Sequence, residues 1–247
     1  MPADLIVYGL VAAGLVFWLR SILGTRHGEE RERPDPFAQN PRDMADHDEK
    51  TLPLAADMAP KTPQDAIRNL AEQPTEKLVI ANKTAELGLV EIADADKGFD
   101  IGFFLEAVQD VFVMVVESFG KGDRETLKDL LGNDVYNAFD QAIAARENTG
   151  EVLQNEIHAI RKVEITDAML DNRTARVTVR FLADETSVTR DKDGEIIAGH
   201  PDKTVIMRDV WVFSRDVKSK DPRWFVVETR DDVDGDNETI PNTKTTK

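Results

Sequence analysis

Asp209 is the residue best placed to do chemistry. In extended backbone, where side chains alternate between faces, it shares a face with Met207, Trp211 and Phe213 in the run VIMRDVWVFSRD. A carboxyl held among apolar groups loses solvation of its charged form, so its pKa rises and it can serve as a base near neutral pH. Such catalysis needs a second positioned group, and the sequence shows none. The other reading is a residue at a strand edge or mouth, paired with Arg208, Arg176 or Arg180.

Asp191, Asp193 and Gly194 resemble a calcium loop, as do Asp232, Asp234 and Gly235. In EF-hand register their first positions are Thr189 and Arg230 and their last are His200 and Pro241, so both lack the bidentate carboxylate. They read as turns. His27, His47, His158 and His200 show no metal-ligand spacing, and the chain has no cysteine. Thiolate nucleophiles, disulfides and cysteine-ligated zinc are therefore excluded. GKGDRET lacks the Gly-Lys-Ser/Thr of a phosphate-binding loop, and neither a nucleophile elbow nor a dinucleotide fingerprint occurs. No metal, cofactor or catalytic residue is expected. The formal charge of −16 is opposite to what phosphate tracking requires, so nucleic acid is not an expected partner.

The amino terminus points to a membrane. No residue from Leu5 to Leu19 is charged, and Ser21, Ile22 and Leu23 continue the run past Arg20, whose long stem can reach the interface. Leu5, Ile6, Val7, Val11, Leu15, Phe17, Trp18, Leu19 and Ile22 are the apolar residues of this expected single-pass anchor, residues 1–23. Asp4 replaces the basic start of a secretory signal, and no small-residue cleavage site follows. Arg20, Arg26, Arg31 and Arg33 follow the apolar run, which places the remainder on the cytoplasmic side of the membrane. Residues 24–74 are acidic and proline-rich with scattered apolar groups, so they read as a disordered spacer.

The elements that would position any site begin near Thr75. Residues 75–98 read as a short helical lead-in around Leu78, Val79, Leu87, Leu89, Val90 and Ile92. Asp100 reads as the cap of a long helix on which Ile101, Phe104, Leu105, Val108, Phe112, Val115 and Phe119 recur at three and four. Phe103, Val111, Val113, Met114 and Val116 make that helix apolar on further faces, so it should be covered on most sides. Gly120 and Gly122 turn the chain into DRETLKDLL, and a third helix from Asn133 or Asp134 carries Val135, Phe139 and Ile143 before Gly150. Period-two alternation then begins, with Ala175, Val177, Val179 and Phe181 against Thr174, Arg176, Thr178 and Arg180. DNRT at 171–174 supplies a hairpin turn from an earlier extended stretch near 154–166. Helices followed by antiparallel strands predict an α+β domain, residues 99–231, with a disordered tail at 232–247.

Apolar side chains on both strand faces, beside a helix apolar almost all round, exceed what one small core needs. The surplus predicts a hydrophobic pocket built from Phe104, Val108, Phe112, Val115, Phe139, Ile143, Val179, Phe181, Trp211, Phe213 and Trp224.

The strings FLEAVQDVFVMVVESFGKGDRETLKDLLGNDVYNAFDQAIAARENTGE, TARVTVRF, DVWVFSRD and DPRWFVV resemble the Tim44-like family, the carboxy-terminal domain of a mitochondrial import-motor tether, and within it the bacterial membrane-anchored TimA-type adaptors. The matching positions are Gly122, Asp123, Leu127, Leu130 and Leu131 at the helix corner, Tyr136 and Phe139 beyond it, and Asp209, Trp211, Phe213 and Trp224 in the sheet. The resemblance implies helices over a four-stranded antiparallel sheet in a cone-shaped, nuclear-transport-factor-two-like fold with a hydrophobic pocket and no enzymatic activity. It also implies a place at the bacterial inner membrane and partners among membrane or translocation-associated proteins, with lipid contact. The alternatives are a carrier or sensor of a hydrophobic or lipid ligand, and a pocket enzyme using Asp209.

Overall fold

The structure, a computed structural model, describes residues 62–232 together with Ile240, Pro241 and Thr243. The expected anchor and the spacer up to residue 61 lie outside the described residues. Among the described residues no helix is long and apolar enough to cross a membrane.

The first helix, α1 (Pro63–Glu72), occupies the end of the segment expected to be a disordered spacer. Its start is locally encoded: Thr62 accepts a hydrogen bond from the Asp65 amide at 3.1 Å, and Pro63 fills the first turn, where its missing donor costs nothing. Ile67 then buries completely, which gives the helix a reason to dock. The lead-in contains a strand as well as a helix. β1 (Leu78–Ile80) carries Leu78 and Val79 and pairs parallel with β2, and α2 (Lys83–Ala95) follows.

α3 (Ile101–Lys121), α4 (Arg124–Leu130) and α5 (Asn133–Thr149) are the three expected helices. Asp100 caps α3 by accepting from the Phe103 amide at 2.8 Å. Gly122 ends it at φ 70°, where a side chain would be strained, and the Asp123 amide closes the turn on the Ser118 carbonyl at 2.9 Å. Arg124 locks the corner, donating to Asp140 at 2.6 Å and in fork geometry to Glu147 at 2.8 and 2.9 Å. Arg146 ties α5 back by donating to the carbonyl of Phe119 at 2.8 Å.

The strands are β2 (Val152–Asp171), β3 (Thr174–Arg190), β4 (Ile196–Gly199), β5 (Val205–Asp216) and β6 (Phe225–Asp231). The sheet has six strands in the order β1-β2-β3-β5-β6, with β4 paired to β3 beyond the end of β5. It is mixed, not four-stranded and antiparallel as expected: the antiparallel ladder β2-β3-β5-β6 is there, but β1 adds a parallel edge and β4 a short extension. Three residues of β1 are too few to display a period, and β4 follows the turn Asp191–Gly194 within what reads as a loop excursion. The Asn172–Arg173 hairpin forms as DNRT predicts, with Asn172 at φ 55°.

One face of β3 is buried throughout Ala175, Val177, Val179, Phe181 and Ala183. α2 and α3 pack on β2, while α4 and α5 reach β6. The expected tail is partly tied down: Ile240 is buried, and the Thr229 and Thr243 backbones pair along the outer edge of β6, the Thr243 amide donating to the Thr229 carbonyl at 2.7 Å.

Candidate functional site

The sequence leads one to expect α3 to be covered on most sides, and it is, except along one stripe through Phe103, Glu106, Asp110 and Met114. Phe104, Val108, Phe112 and Val115 face the sheet and are buried; Ala107 and Val111, half-buried, border that face, and Phe103 and Met114 lie beyond them in the open. Phe103 remains 70% exposed and Met114 46%. Adjacent residues on a helix point about 100° apart, so Phe103 and Phe104 meet opposite fates.

Phe103, Ala107 and Val111 form one wall of a cleft of about 390 Å³. Asp129 and Leu130 at the end of α4 and the segment Pro222–Trp224 before β6 form the other wall, with Phe99, Phe104, Phe213 and Arg215 among the remaining lining. The aromatic lining is rigid. Trp224 stands edge-on to Phe104 at 4.9 Å and to Phe99 at 6.1 Å, and Phe104 meets Phe213 edge-on at 6.2 Å.

The cations of the lining are matched by carboxylates of their own. Arg215 donates to Asp96 at 2.7 Å, joining the end of α2 to β5. Arg223 donates to both oxygens of Asp221, stands 3.8 Å from Asp129 and lies over the Phe225 ring at 5.3 Å. The Asp221 hydrogen bonds hold Arg223 above the usual guanidinium range. The Nε of Arg215 is buried without a hydrogen-bond partner.

Of the residues expected to build a pocket, Phe104, Val108, Phe213 and Trp224 come together at this cleft. Phe112, Val115, Phe139, Ile143, Val179, Phe181 and Trp211 are side chains of the filled core, and none lines the cleft. Phe112 lies against Phe181 and Trp211, and Phe139 against Phe119. Phe99, Phe103, Val111, Leu130 and Pro222 are cleft residues that the three-four stripe does not reveal. The available signal was the surplus of apolar residues off that stripe.

Asp209 is 1% exposed and lies on the buried face with Met207, Trp211 and Phe213, as its register requires. Its carboxyl accepts from the indole N–H of Trp211 at 3.0 Å; no hydrogen bond or ion pair links it to Arg208, Arg176 or Arg180. Burial pushes its pKa up to about 7, with Asp231, Glu185 and Asp232 adding repulsion and the indole hydrogen bond opposing. Glu185 continues the buried row of β3, fully enclosed, and neither carboxyl oxygen has a partner. Burial pushes it to about 7 as well. Both belong to the packed interior and neither lines the apolar cleft. Among the described residues no group of three or more His, Asp or Glu side chains is arranged to hold a metal.

A wider opening of about 880 Å³ lies between α5 and the β3–β4 end of the sheet. Its lining mixes apolar groups with Arg146, Glu151, His200 and Lys203, and Arg146 is already committed to the α3 carbonyls. The smaller cleft is the better receptor because its aromatic walls shed water on binding.

Residues 85–231 match the family model of the Tim44-like domain. Among curated proteins, the chain is 27% identical over 135 residues to the mitochondrial import inner membrane translocase subunit TIM44 of Homo sapiens, and equally to that of Rattus norvegicus. It is 23% identical over 125 residues to subunit TIM44-1 of Arabidopsis thaliana. The human and rat matches cover 54% of this chain and 30% of each relative, so the chain spans about a third of their length. The intermembrane space region of the chloroplast protein ARC6 superposes with a TM-score of 0.38 at 14% identity, covering 52% of this chain and 93% of that one. Nothing is carried over from a superposition at that score.

Proposed function

Because the chain belongs to the Tim44-like domain family, and because its domain presents an apolar cleft walled by an exposed aromatic side chain, we propose that it is a non-enzymatic adaptor holding a membrane- or translocation-associated protein in that cleft. The observation that carries this reading is Phe103. A large ring left 70% exposed at the mouth of an aromatic cleft is the kind of anchor that dominates binding at protein interfaces. In this reading the apolar segment at Leu5–Leu23 holds the adaptor on the cytoplasmic side of a bacterial inner membrane. The spacer confines the domain near the bilayer, which raises its effective concentration for partners there.

The depth of aromatic lining also favours a second reading, a carrier or sensor of a hydrophobic or lipid ligand. One experiment separates the two. A photo-crosslinking residue is placed at Val111 or, as a control, at Ile197 in the full chain in membranes. Adducts with a membrane- or translocation-associated protein at Val111 alone, lost on Phe103→Ser, support the adaptor. Lipid adducts at Val111 support the carrier, and identical adducts at both positions remove the cleft from either role.

A further inference from the structure

The wider opening of about 880 Å³ holds a receptor of another kind, centred on Arg146. The guanidinium is fixed from behind. Its Nη2 donates to the carbonyls of Phe119 at 2.8 Å and Gly120 at 3.2 Å, and the group lies over the Phe119 ring at 5.0 Å. Those bonds use Nη2 alone. Nε and Nη1 have no protein acceptor among the described residues and neither is sealed from solvent, so one edge of the planar fork stays open where Arg146 lines the cavity. Burial pulls the Arg146 pKa below the ordinary guanidinium value, with Glu147 and Glu151 opposing at a distance, and no carboxylate pairs with it among the described residues. A fork of fixed orientation with a free edge matches a carboxylate held by two parallel hydrogen bonds.

Two further donors stand on the loop between β4 and β5. The Asp202 amide donates to Nδ1 of His200 at 3.1 Å; a ring nitrogen that accepts carries no hydrogen, so Nε2 is the donor. The Lys203 amide is tied to the His200 carbonyl at 3.2 Å, while its ammonium forms no ion pair among the described residues. On the sheet side, the Ser187 hydroxyl donates to Asn155 at 2.8 Å and keeps its oxygen free to accept, and the Thr189 hydroxyl has no partner among the described residues. Both suit the amide groups of a peptide. The surrounding charge limits how many negative groups an occupant can carry. Glu151 is in the lining, Glu195 and Asp202 are exposed next to it in the chain, and the whole protein carries −16. An acidic run or an anionic bilayer meets that field with every charge it brings, whereas a chain end brings one carboxylate and otherwise neutral groups. A hydrocarbon tail would cover the Ser187 and Thr189 hydroxyls without offering them a partner.

Independently of the apolar cleft, we infer that this opening captures the carboxy terminus of an extended polypeptide: the terminal carboxylate accepts from Nε and Nη1 of Arg146, the last amides meet Ser187 and Thr189, and an apolar last side chain lies against Phe119 and Leu153. Lys203 adds attraction at longer range.

The test uses the full chain, immobilised, and pooled fluorescein-labelled hexapeptides randomised over their last three residues, prepared as free acids and as amides. A third pool has an amidated end and an internal Asp. The expected result is retention of the free-acid pool at least about tenfold above either amidated pool, with apolar residues enriched at the last position. Arg146→Lys, which keeps the charge but loses the fork, weakens retention about tenfold. Lys203→Glu weakens it by up to about fivefold, and Ala145→Phe, which fills the opening from an exposed position, abolishes it. Phe103→Ser leaves it unchanged. Lys203 and Ala145 are both exposed, so an unchanged circular dichroism spectrum and melting temperature keep these two variants informative even where Arg146→Lys unfolds. Equal retention of free acids and amides, or retention of no pool, overturns the inference. So does equal retention of the internal-Asp pool, since the ligand is then a side-chain carboxylate. Displacement by decanoate at a lower concentration than by a free-acid peptide also overturns it, the occupant then being a small acid. Indifference to Ala145→Phe places the binding outside this opening and removes the proposal.

Discussion

The rings of Phe112 and Phe181 stack 4.4 Å apart and 19° from parallel, joining the middle of α3 to β3. Both are fully buried. Phe112→Ala should therefore cost about 3–5 kcal/mol through lost transfer energy and the cavity left behind. Phe103→Ala, nine residues earlier on the same helix, should change stability by less than about 0.5 kcal/mol while weakening whatever the cleft holds. Urea denaturation of the two variants side by side measures the contrast, and a large stability loss for Phe103→Ala would mean that this ring is structural.

Glu185 and Asp209 give the domain an unusual response to pH. Both are pushed up to about 7 by burial, against about 4 for ordinary carboxyls. The folded state therefore holds protons that the unfolded chain releases. Their stabilising contribution is complete below about pH 4 and disappears as pH rises through about 7. Glu147 and Asp221 act in the opposite sense. Arg124 and Arg223 hold them below the usual range, and what they contribute is lost as pH falls through their folded-state values. Stability should peak at about pH 4, where Glu185 and Asp209 are still protonated and the arginine-held carboxylates are largely charged, and fall as pH rises toward about 7. Glu185→Gln should raise the melting temperature at about pH 8 and have little effect at about pH 4, with a gain of order 3 kcal/mol at the alkaline end. A flat difference between parent and variant across that range would contradict the assignment.

Gly88 sets how closely α2 approaches the sheet. A Cβ built there falls 1.8 Å from the carbonyl oxygen of Ala168 on β2, and backbone cannot swing aside as a side-chain tip can. Gly88→Ala should cost about 1–3 kcal/mol and loosen α2 selectively. Hydrogen exchange should show lost protection across residues 83–95, with α3 and the central strands retaining theirs.

Gly122 holds the corner between α3 and α4 at φ 70°. Gly122→Ala places a Cβ in the left-handed region, at a cost of about 1–2 kcal/mol, although the nearest atom, in Ile143, is a comfortable 3.5 Å away. Chemical denaturation measures the loss, and Gly122→Asn should recover part of it because Asn tolerates that conformation.

The parts legible in the sequence are those where burial imposes a period. β3 shows its alternation because one face is dry for most of its length, and α3 shows its stripe because Phe104, Val108, Phe112 and Val115 must all meet the sheet. β1 was not legible, since Leu78–Ile80 extends only by parallel pairing with Val163–Ile165, more than eighty residues away. α1 was masked by a proline-rich, acidic neighbourhood, although the Thr62 cap and buried Ile67 show its local logic in retrospect.

The cleft was harder to place than the fold. An aromatic that fills a core and one that lines a groove are the same residue type at the same spacing, and only the packing of α4 and the Pro222–Trp224 segment decides which is which. The surplus of apolar groups on α3 pointed to an apolar cleft without giving its position.

The pairing of Thr243 along β6 has a practical consequence. The Thr229 amide donates to the Thr243 hydroxyl at 3.0 Å, and the Thr229 hydroxyl donates to the Pro241 carbonyl at 2.7 Å, so these late residues cover the border of the last strand at Thr229. A truncation at Asp232 would bare the backbone donor and acceptor of Thr229 on an edge strand, where they can recruit a neighbouring molecule. An affinity handle or fluorescent reporter is therefore better fused after Lys247 than spliced onto β6, where it would trade a clean preparation for one prone to strand-bridged oligomers.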